Sequence, residues 1–428
     1  MSLDTSSVPE LSAQQRRCNL LLMLYAPLPA VQLEKVSQIN GVDLKTTQQD
    51  VAQLSLDIQR LHQLEIVTSH DHHCRLQGDL LNQRLCLIQY LRRAIRSNPD
   101  FVHQHFTPLF TRHLTQAADF DSSRYDRQFP TLITTISRQL NREFSSRDEQ
   151  FLHLYLQYCL WQNLEIPQLQ LSNSQQQWLR DKPEFSAASL IFSQLQKLFS
   201  KGLAECERDF FTLLLTLIKN HSYDSSGSRE DQKLMHAIRE LVASFQEVSG
   251  MTFSSDRGLI SQLFAHLGPA IERCRFDIGV DSQLQDEVNR MYPRLMRTTQ
   301  DALQGFKRTY DIELSQEEIG LVAVSFGAWL MQGNALGEKQ ILLLTGNNPQ
   351  LETAVEQQIR EATLLPLNIK YQTLAAFHQQ GAPGGVAMIV TPYATQSTDA
   401  DPLIIHTQLP LTKEQRKKIR SLLEAHQF

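Results

Sequence analysis

The sequence predicts a mainly α-helical protein that ends in a small α/β domain with a parallel sheet. Three observations carry this reading. Apolar residues recur every three or four positions through most of residues 12–333, which marks helices with one buried stripe. After Gly333 the period changes, and four short β-type runs alternate with helical stretches, the pattern of strands joined by helical crossovers. Near the N-terminus, three helical stretches precede two short extended runs that flank a polar turn.

Residues 12–25, "SAQQRRCNLLLMLY", read as an amphipathic helix with Ser12 as its N-cap. A second helix, 30–40, ends at Gly41, and a longer helical stretch closes with "LSLDIQRLHQL" (54–64). Extended runs at 65–68 and 74–77 flank "SHDHH". Three helices followed by a hairpin give the outline of a winged helix. From about 82 to 333 the pattern is helical, with polar breaks at 171–177, 180–184 and 222–231. The last break, "SYDSSGSRED", is nearly all polar and contains glycine and serine, so it reads as a linker between two similar halves. Strands are expected at 339–346, 367–374, 386–392 and 403–409, with helices at 348–362, 375–381 and 412–426. Asn348 and Pro349 suit the N-cap and first position of the helix after strand one. The glycine-rich "QGAPGGV" (380–386) leads into a strand and reads as a turn.

A chain of 428 residues has room for about three domains. A net charge of −5 argues against a protein that coats nucleic acid by bulk charge. The six cysteines, at 18, 74, 86, 159, 206 and 274, form no CxxC pair, which suits reduced thiols better than disulfides or zinc. The first ten residues carry no basic cluster, and the longest apolar runs, such as 210–218, are far short of the roughly 20 residues that span a bilayer. A soluble, cytoplasmic protein is expected. The sequence holds no GxSxG, HExxH, GxxxxGK[ST] or GxGxxG, so a non-enzymatic role without cofactor or metal is expected.

Three stretches carry a family signature. "HLGPAIER" (266–273) places an arginine seven residues after a histidine on a helical pattern. "YPRLMRTT" (292–299) follows, and then "LSQEEIGLVAVSFGAWL" (314–330). Together they resemble the PRD, the regulation domain that bacterial sugar phosphotransferase systems control. In that family a helix bearing His and, seven residues later, Arg packs against a helix reading acidic–apolar–Gly–apolar–apolar–apolar–apolar–His. His266 and Arg273 match the first motif. Glu318 to Val324 match the second, with Ser325 at its histidine position. The preceding half resembles a weaker copy. "LYLQYCLWQ" (154–162) places Tyr155 and Gln162 at the His and Arg positions, and "DFFTLLLTL" (209–217) places Thr216 at the second histidine. His153, two residues before Tyr155, is turned about 200° away along a helix and is not its equivalent. "GLVAVSFGAWLMQ", "EKQILLLTGN" and "LLPLNIK" further resemble a stationary-phase-inducible branch of the family in enteric bacteria.

The resemblance implies the domain order of the multidomain PRD transcription regulators. That order is a winged-helix-like domain at 1–80, connecting helices at 81–117, PRD-like bundles at 118–222 and 229–333, and an enzyme IIB-like domain at 338–428. It implies phosphoryl transfer to histidine from HPr or an enzyme IIB, and homodimerisation through the bundles. His266, with Arg273 nearby, is the candidate phosphorylation site. With three of the four family positions replaced, a buried interface histidine satisfied by hydrogen bonds is the favoured reading of the same residue. Tyr155, Thr216 and Ser325 are degenerate positions, because a hydroxyl does not take phosphate from a histidine carrier in this chemistry. In the IIB-like domain the phosphorylated cysteine would follow strand one, where Thr345 stands, and no cysteine follows Cys274. Gly346, Asn347 and Asn348 at a helix N-terminus suit either an anion or an ordinary capped turn.

Charge divides the remaining readings. Residues 1–80 hold six basic against nine acidic residues, a poor balance for neutralising DNA phosphates. A basic surplus lies at 83–96, in Arg84, Arg92, Arg93 and Arg96, which suits either nucleic-acid contact or the solvated face of a connecting helix. His70, His72 and Cys74 would share one side of the hairpin and suit a loose metal site or a polar turn. A transcription regulator and an interaction module that has stopped reading DNA both fit. An RNA-binding antiterminator fits less well, since those proteins begin with an all-β domain and residues 1–65 read as helical.

Overall fold

The computed structural model describes residues 11–28, 30–116, 120–164, 169–198, 202–219, 221, 227–251, 256–282, 284–333, 339–346, 348–396, 402–407 and 410–424. The chain divides into two compact units. One comprises Met1–Lys219 and Arg275–Gly279, the other Asn220–Cys274 and Val280–Phe428.

The first unit opens with α1 (Ala13–Tyr25). Ser12 caps it through a capping box, in which its Oγ accepts from the Gln15 N–H and the Gln15 side chain accepts in return from the Ser12 N–H. β1 (Val31–Gln32) leads into α2 (Leu33–Asn40), which stops at Gly41 with φ 66°, a left-handed turn that glycine adopts without strain. Asp43 caps α3 (Leu44–His62) by accepting the Thr46 N–H at 2.7 Å. β2 (Glu65–Thr68) and β3 (His73–Gln77) form an antiparallel hairpin, and β1 joins it in the order β1-β3-β2. The helices and hairpin follow the expected ranges closely. β1 was not legible, because a two-residue strand has no period to read.

α1 is enclosed on nearly every side, with Cys18 to Met23 all buried. Its one buried amide is satisfied twice: Asn19 donates to Asn40 Oδ1 at 2.9 Å and accepts from Asn98 Nδ2 at 3.0 Å. α4 (Leu80–Ser97) is followed by α5 (Pro99–Phe101), a π-helical turn (Val102–Phe106) and α6 (Thr107–Gln116). Next come α7 (Ser122–Leu140), α8 (Ser146–Leu164), α9 (Asn173–Arg180), α10 (Glu184–Leu198) and α11 (Cys206–Leu217). A single hydrophobic cluster runs from Cys18 to Ile218 and takes in Phe276. The N-terminal elements and this first helical bundle are therefore built on one core.

The second unit holds α12 (Arg229–Ser249), α13 (Arg257–Arg275, whose last residue lies in the first unit), α14 (Leu284–Met291), α15 (Pro293–Ala302), α16 (Gln304–Tyr310) and α17 (Gln316–Gly333). α12 and α17 meet through Phe245 and Phe326, stacked with centroids 3.9 Å apart. The α/β domain follows as β4 (Lys339–Thr345), α18 (Pro349–Ala362), β5 (Leu367–Thr373), α19 (Leu374–Gln380), β6 (Val386–Thr391), β7 (Ile404–His406) and α20 (Lys413–Glu424). Its sheet is parallel throughout, in the order β5-β4-β6-β7. Central β4 is buried on both faces: Ile341 and Leu343 pack into one cluster with α18 and α20, and Leu342 and Leu344 into another with α19.

Three expectations need correction. The polar stretch 171–177 is mostly helix: Ser172 makes a capping box with Gln175 and opens α9. Its polarity marks an exposed helix face, not a break. In the expected linker 222–231, residues 222–226 lie outside the described residues, while Ser228 caps α12 and residues 229–231 form its first turn. The strand expected at 403–409 is confined to Ile404–His406, with 408 and 409 outside the described residues, as are 425 and 426 of the last helix.

Candidate regulatory site

In the second unit, α13 and α17 bring three side chains together. Seven residues separate His266 from Arg273, about two turns or roughly 10 Å along one face of α13. Glu318 stands in the first turn of α17, where its N–H donates to Ser315 Oγ at 3.3 Å. Its carboxylate is only 2% exposed and is shared between His266 and Arg273. His266 Nε2 lies 2.9 Å from Glu318 Oε2, and Arg273 grips both oxygens, Nε at 2.6 Å and Nη2 at 3.1 Å. Nε2 is sealed from solvent and is not aimed in line with the oxygen, so its approach is a contact more than a linear hydrogen bond. Among the described residues Nδ1 has no partner, and the side chain is 19% exposed. Burial alone would raise the pKa of Glu318. The polar contacts from His266 and Arg273, with the charge of Arg273, outweigh it and hold the carboxyl below its ordinary value. Ser325, two turns further along α17, donates its hydroxyl to Leu321 O at 3.1 Å and is committed to its own helix.

The first bundle arranges the matching positions differently. Tyr155 is 0% exposed, and its hydroxyl donates to Arg84 O at 2.7 Å. Gln162 Oε1 accepts from Arg84 Nε at 2.7 Å, and Glu207 takes the rest of that guanidinium in a bidentate pair at 2.7 and 2.8 Å. The Arg84 side chain is 1% exposed and lies 4.7 Å from the centroid of the Phe210 ring. Burial opposes its charge, yet Glu207 more than compensates and drives its pKa up. Thr216 is buried and donates to Thr212 O at 2.9 Å. Asp209, seven residues before Thr216, is held by Arg180 at 3.1 Å. An arginine from α4 is thus locked into the interior of the first bundle.

This corrects one expected nucleic-acid contact, because Arg84 is interior and fully engaged. Its partners differ in setting. Arg92 is half-buried, 3.3 Å from Asp148, Arg93 lies over the Tyr90 ring, and Arg96 is exposed. On the hairpin, Cys74 is buried toward the core with its sulfur 3.3 Å from Thr68 Oγ1, while His70 is exposed. No group of three His, Cys, Asp or Glu among the described residues is placed to hold a metal ion.

After β4, Thr345 pairs in parallel register with Thr373. Asn348 caps α18 by accepting the Leu351 N–H at 3.1 Å, with Pro349 at the first helical position. Asn347 lies outside the described residues. Of the two readings of this loop the capped turn is what forms: the Gly346 N–H is bonded to Glu352 Oε1 at 2.6 Å, and the same oxygen accepts the Tyr393 hydroxyl at 2.9 Å. The chain's own carboxylate sits where an anion would.

Three acids that do this work, Glu318, Glu207 and Glu352, had no chemistry assigned to them in the sequence. Glu318 was visible as the acidic start of its motif, and Arg84 recurs in step with the apolar Ile88, Leu91 and Ile95, a spacing that signals the buried face of α4. Glu207 likewise recurs in step with Phe210, Phe211 and Leu214, and Glu352 with Val355 and Ile359, the same inward spacing.

A histidine, an arginine and an acid meeting across two helices of a bundle define the class, and residues 239–329 match the PRD domain. Residues 339–423 match a second family, "Stationary phase-inducible protein CsiE, C-terminal domain". The chain is 41% identical over 415 residues to the stationary phase-inducible protein CsiE of Escherichia coli (strain K12), with 97% of each chain covered. It belongs to the CsiE family. It is also 22% identical over 284 residues to the transcriptional regulator ManR of Bacillus subtilis (strain 168), which covers 64% of this chain and 43% of ManR. Among the described residues no helix is long and apolar enough to cross a membrane.

Proposed function

We propose that this protein is a non-enzymatic, cytoplasmic PRD regulator that has lost most of its phosphorylation sites and keeps one, His266. The carrying observation is the His266–Glu318–Arg273 cluster. One ring nitrogen is buried against a carboxylate 2.9 Å away, and Nδ1 is left as the open nitrogen. Beside it stands Arg273, whose guanidinium can donate hydrogen bonds to a phosphoryl group on His266 in place of that carboxylate. The donor is a phosphohistidine carrier of the HPr type or an enzyme IIB. The phosphoryl group passes to the lone pair of His266 Nδ1 as the carrier's N–P bond breaks, and the carrier imidazole, already protonated on its other ring nitrogen, leaves neutral.

Around this site the architecture is that of a transcription regulator. Helix, strand, two helices and a hairpin whose sheet the first strand joins form a winged-helix head, with α3 as its reading helix. The α7–α11 bundle is a degenerate PRD, and the last domain is an enzyme IIB-like fold without its phosphocysteine. The PRD-like bundles serve as the homodimer contact, and the relationship to ManR supports a role in transcription. A second reading has one observation in its favour. With Arg84 buried and Arg92 beside Asp148, the basic surplus near the head shrinks, as expected of a module that binds a protein partner and no longer reads DNA.

The test has two parts. The purified protein and its His266→Ala variant are incubated with phosphorylated HPr. Labelling of the first alone supports the site, and equal labelling of both, or none of either, overturns it. Genomic DNA fragments are then captured at moderate salt. Enrichment over a scrambled control supports the regulator, whereas no enrichment together with a reproducible protein partner supports the interaction module.

A further inference from the structure

α13 carries His266 and Arg273 within the second unit, yet the residues that follow Cys274 along the same chain, Arg275–Gly279, belong to the first. There they are held at every second position or closer. The Arg275 guanidinium lies 4.0 Å from the centroid of the Trp178 ring, and the Arg275 carbonyl accepts from Gln175 Nε2 at 3.0 Å. Phe276 is 1% exposed inside the main hydrophobic cluster. The Asp277 carboxylate accepts from the Gln63 side-chain amide. The Gly279 N–H donates to Leu61 O at 2.9 Å.

The last two contacts fall on the C-terminal end of α3. Leu61 O is one of the terminal carbonyls that a helix leaves without an internal partner, and Gln63 is the left-handed C-cap with φ 55°. The segment therefore completes the cap of α3 from far along the chain. The fit is close: a Cβ added to Gly279 would lie 2.8 Å from Leu61 Cα and 2.9 Å from Leu61 O. Both are backbone atoms that cannot swing aside.

We propose that Arg275–Gly279 is a latch that reports the state of the His266 site to the end of α3. α13 is one helix from Arg257 to Arg275, and a helix transmits displacement over a single turn with little loss. Arg273, anchored on Glu318, and Arg275, anchored on Trp178, stand two residues apart near its end. When the guanidinium of Arg273 leaves Glu318, that end of α13 loses a charged anchor, and the cap on Leu61 loosens. Competition by a phosphoryl group on His266 for Arg273 is the natural trigger, and only this trigger rests on the function proposed above. By linkage, releasing the latch also alters the hold on Arg273.

Hydrogen exchange read by mass spectrometry on the full chain tests the latch without a phosphate donor. Gly279→Ala is expected to raise exchange about fivefold or more in peptides covering 58–64 and 275–281, the factor carried by one lost backbone hydrogen bond. Gln63→Ala, which changes no backbone fit, is expected to raise it in the same direction and keeps the test valid should the glycine variant fail to fold. Glu318→Gln, made only at the site, is expected to raise exchange in the same two peptides. Wild-type exchange at 58–64 in Glu318→Gln, or in both Gly279→Ala and Gln63→Ala, overturns the proposal. Absence of phosphoryl transfer to His266, measured separately, removes the trigger and leaves these outcomes readable.

Discussion

Replacing Arg84 by Met should unfold the first unit more readily than any surface change, and by a calculable amount. The guanidinium makes three charge-assisted or polar bonds, two to Glu207 and one to Gln162, at 2.7 to 2.8 Å, and both charged side chains are at most 2% exposed. Methionine fills much of the aliphatic volume, so the main loss is electrostatic: Glu207 is left as a buried carboxylate without its partner. Removing one member of a buried pair costs about 3–5 kcal/mol, whereas replacing both by apolar groups is often close to neutral. Urea unfolding followed by fluorescence of Trp161 and Trp178 should therefore show Arg84→Met less stable by about 3–5 kcal/mol. The double variant Arg84→Met, Glu207→Leu should recover all but about 1–2 kcal/mol of this. A single-variant loss under about 1 kcal/mol, or a double variant as unstable as the single, would refute the account of α4 as charge-locked to the first bundle. The same variant should leave the salt dependence of any DNA binding unchanged, since an interior arginine neutralises no phosphate.

Other expectations follow from the same contacts. His62 is buried beside Gln89, and desolvation lowers its pKa to about 4 from 6.5. The folded state thus resists a proton that the unfolded chain accepts below pH 6.5, so this contribution is complete above that pH and is lost as pH falls toward 4. Urea midpoints of the first unit between pH 7 and 4 should fall less steeply in His62→Gln, and parallel slopes would contradict the assignment. Glu318 shows the carboxylate case: its depressed pKa gives stability present above the usual value of 4.5 and lost as pH falls through the lower folded value. Glu318→Gln should cost the second unit about 2 kcal/mol at neutral pH, read from Trp329 fluorescence on heating, and should flatten the acid limb. In the α/β domain, Glu352→Ala should cost about 1–2 kcal/mol by freeing the Gly346 N–H and the Tyr393 hydroxyl. Inorganic phosphate should not raise the melting temperature of the wild type, because Glu352 already occupies that loop, and a phosphate-dependent rise would contradict this.

Much of the architecture was legible because its signals are periodic. The capping serine at 12, the helix-ending Gly41, the hairpin and the shift to strand period after Gly333 each follow from local rules of spacing and capping. The unbroken apolar run "ILLL" in β4 is what a strand covered on both faces carries. The site was legible only in part. His266 and Arg273 share a helix, so their proximity follows from a spacing of seven, while Glu318 reaches them from 45 residues away and depends on how two helices pack. The same limit hid Arg84 from a reading by charge. Counting arginines treats each as exposed, and only the step of Arg84 with Ile88 and Leu91 hints that it faces inward. The polar run at 171–177 misled for a related reason, since serine and glutamine mark a capped, exposed helix as readily as a loop.

The central claim is that a carboxylate-held imidazole on α13 offers one nitrogen to a phosphoryl donor. The most direct measurement is nitrogen-resolved NMR of the full chain after reaction with phosphorylated HPr, kept at neutral pH. Phosphorus bonded to Nδ1 of His266 and to no hydroxyl is the predicted result. Phosphorus on Nε2, or on Tyr155, Thr216, Ser325 or Thr345 with His266 unmodified, would contradict it.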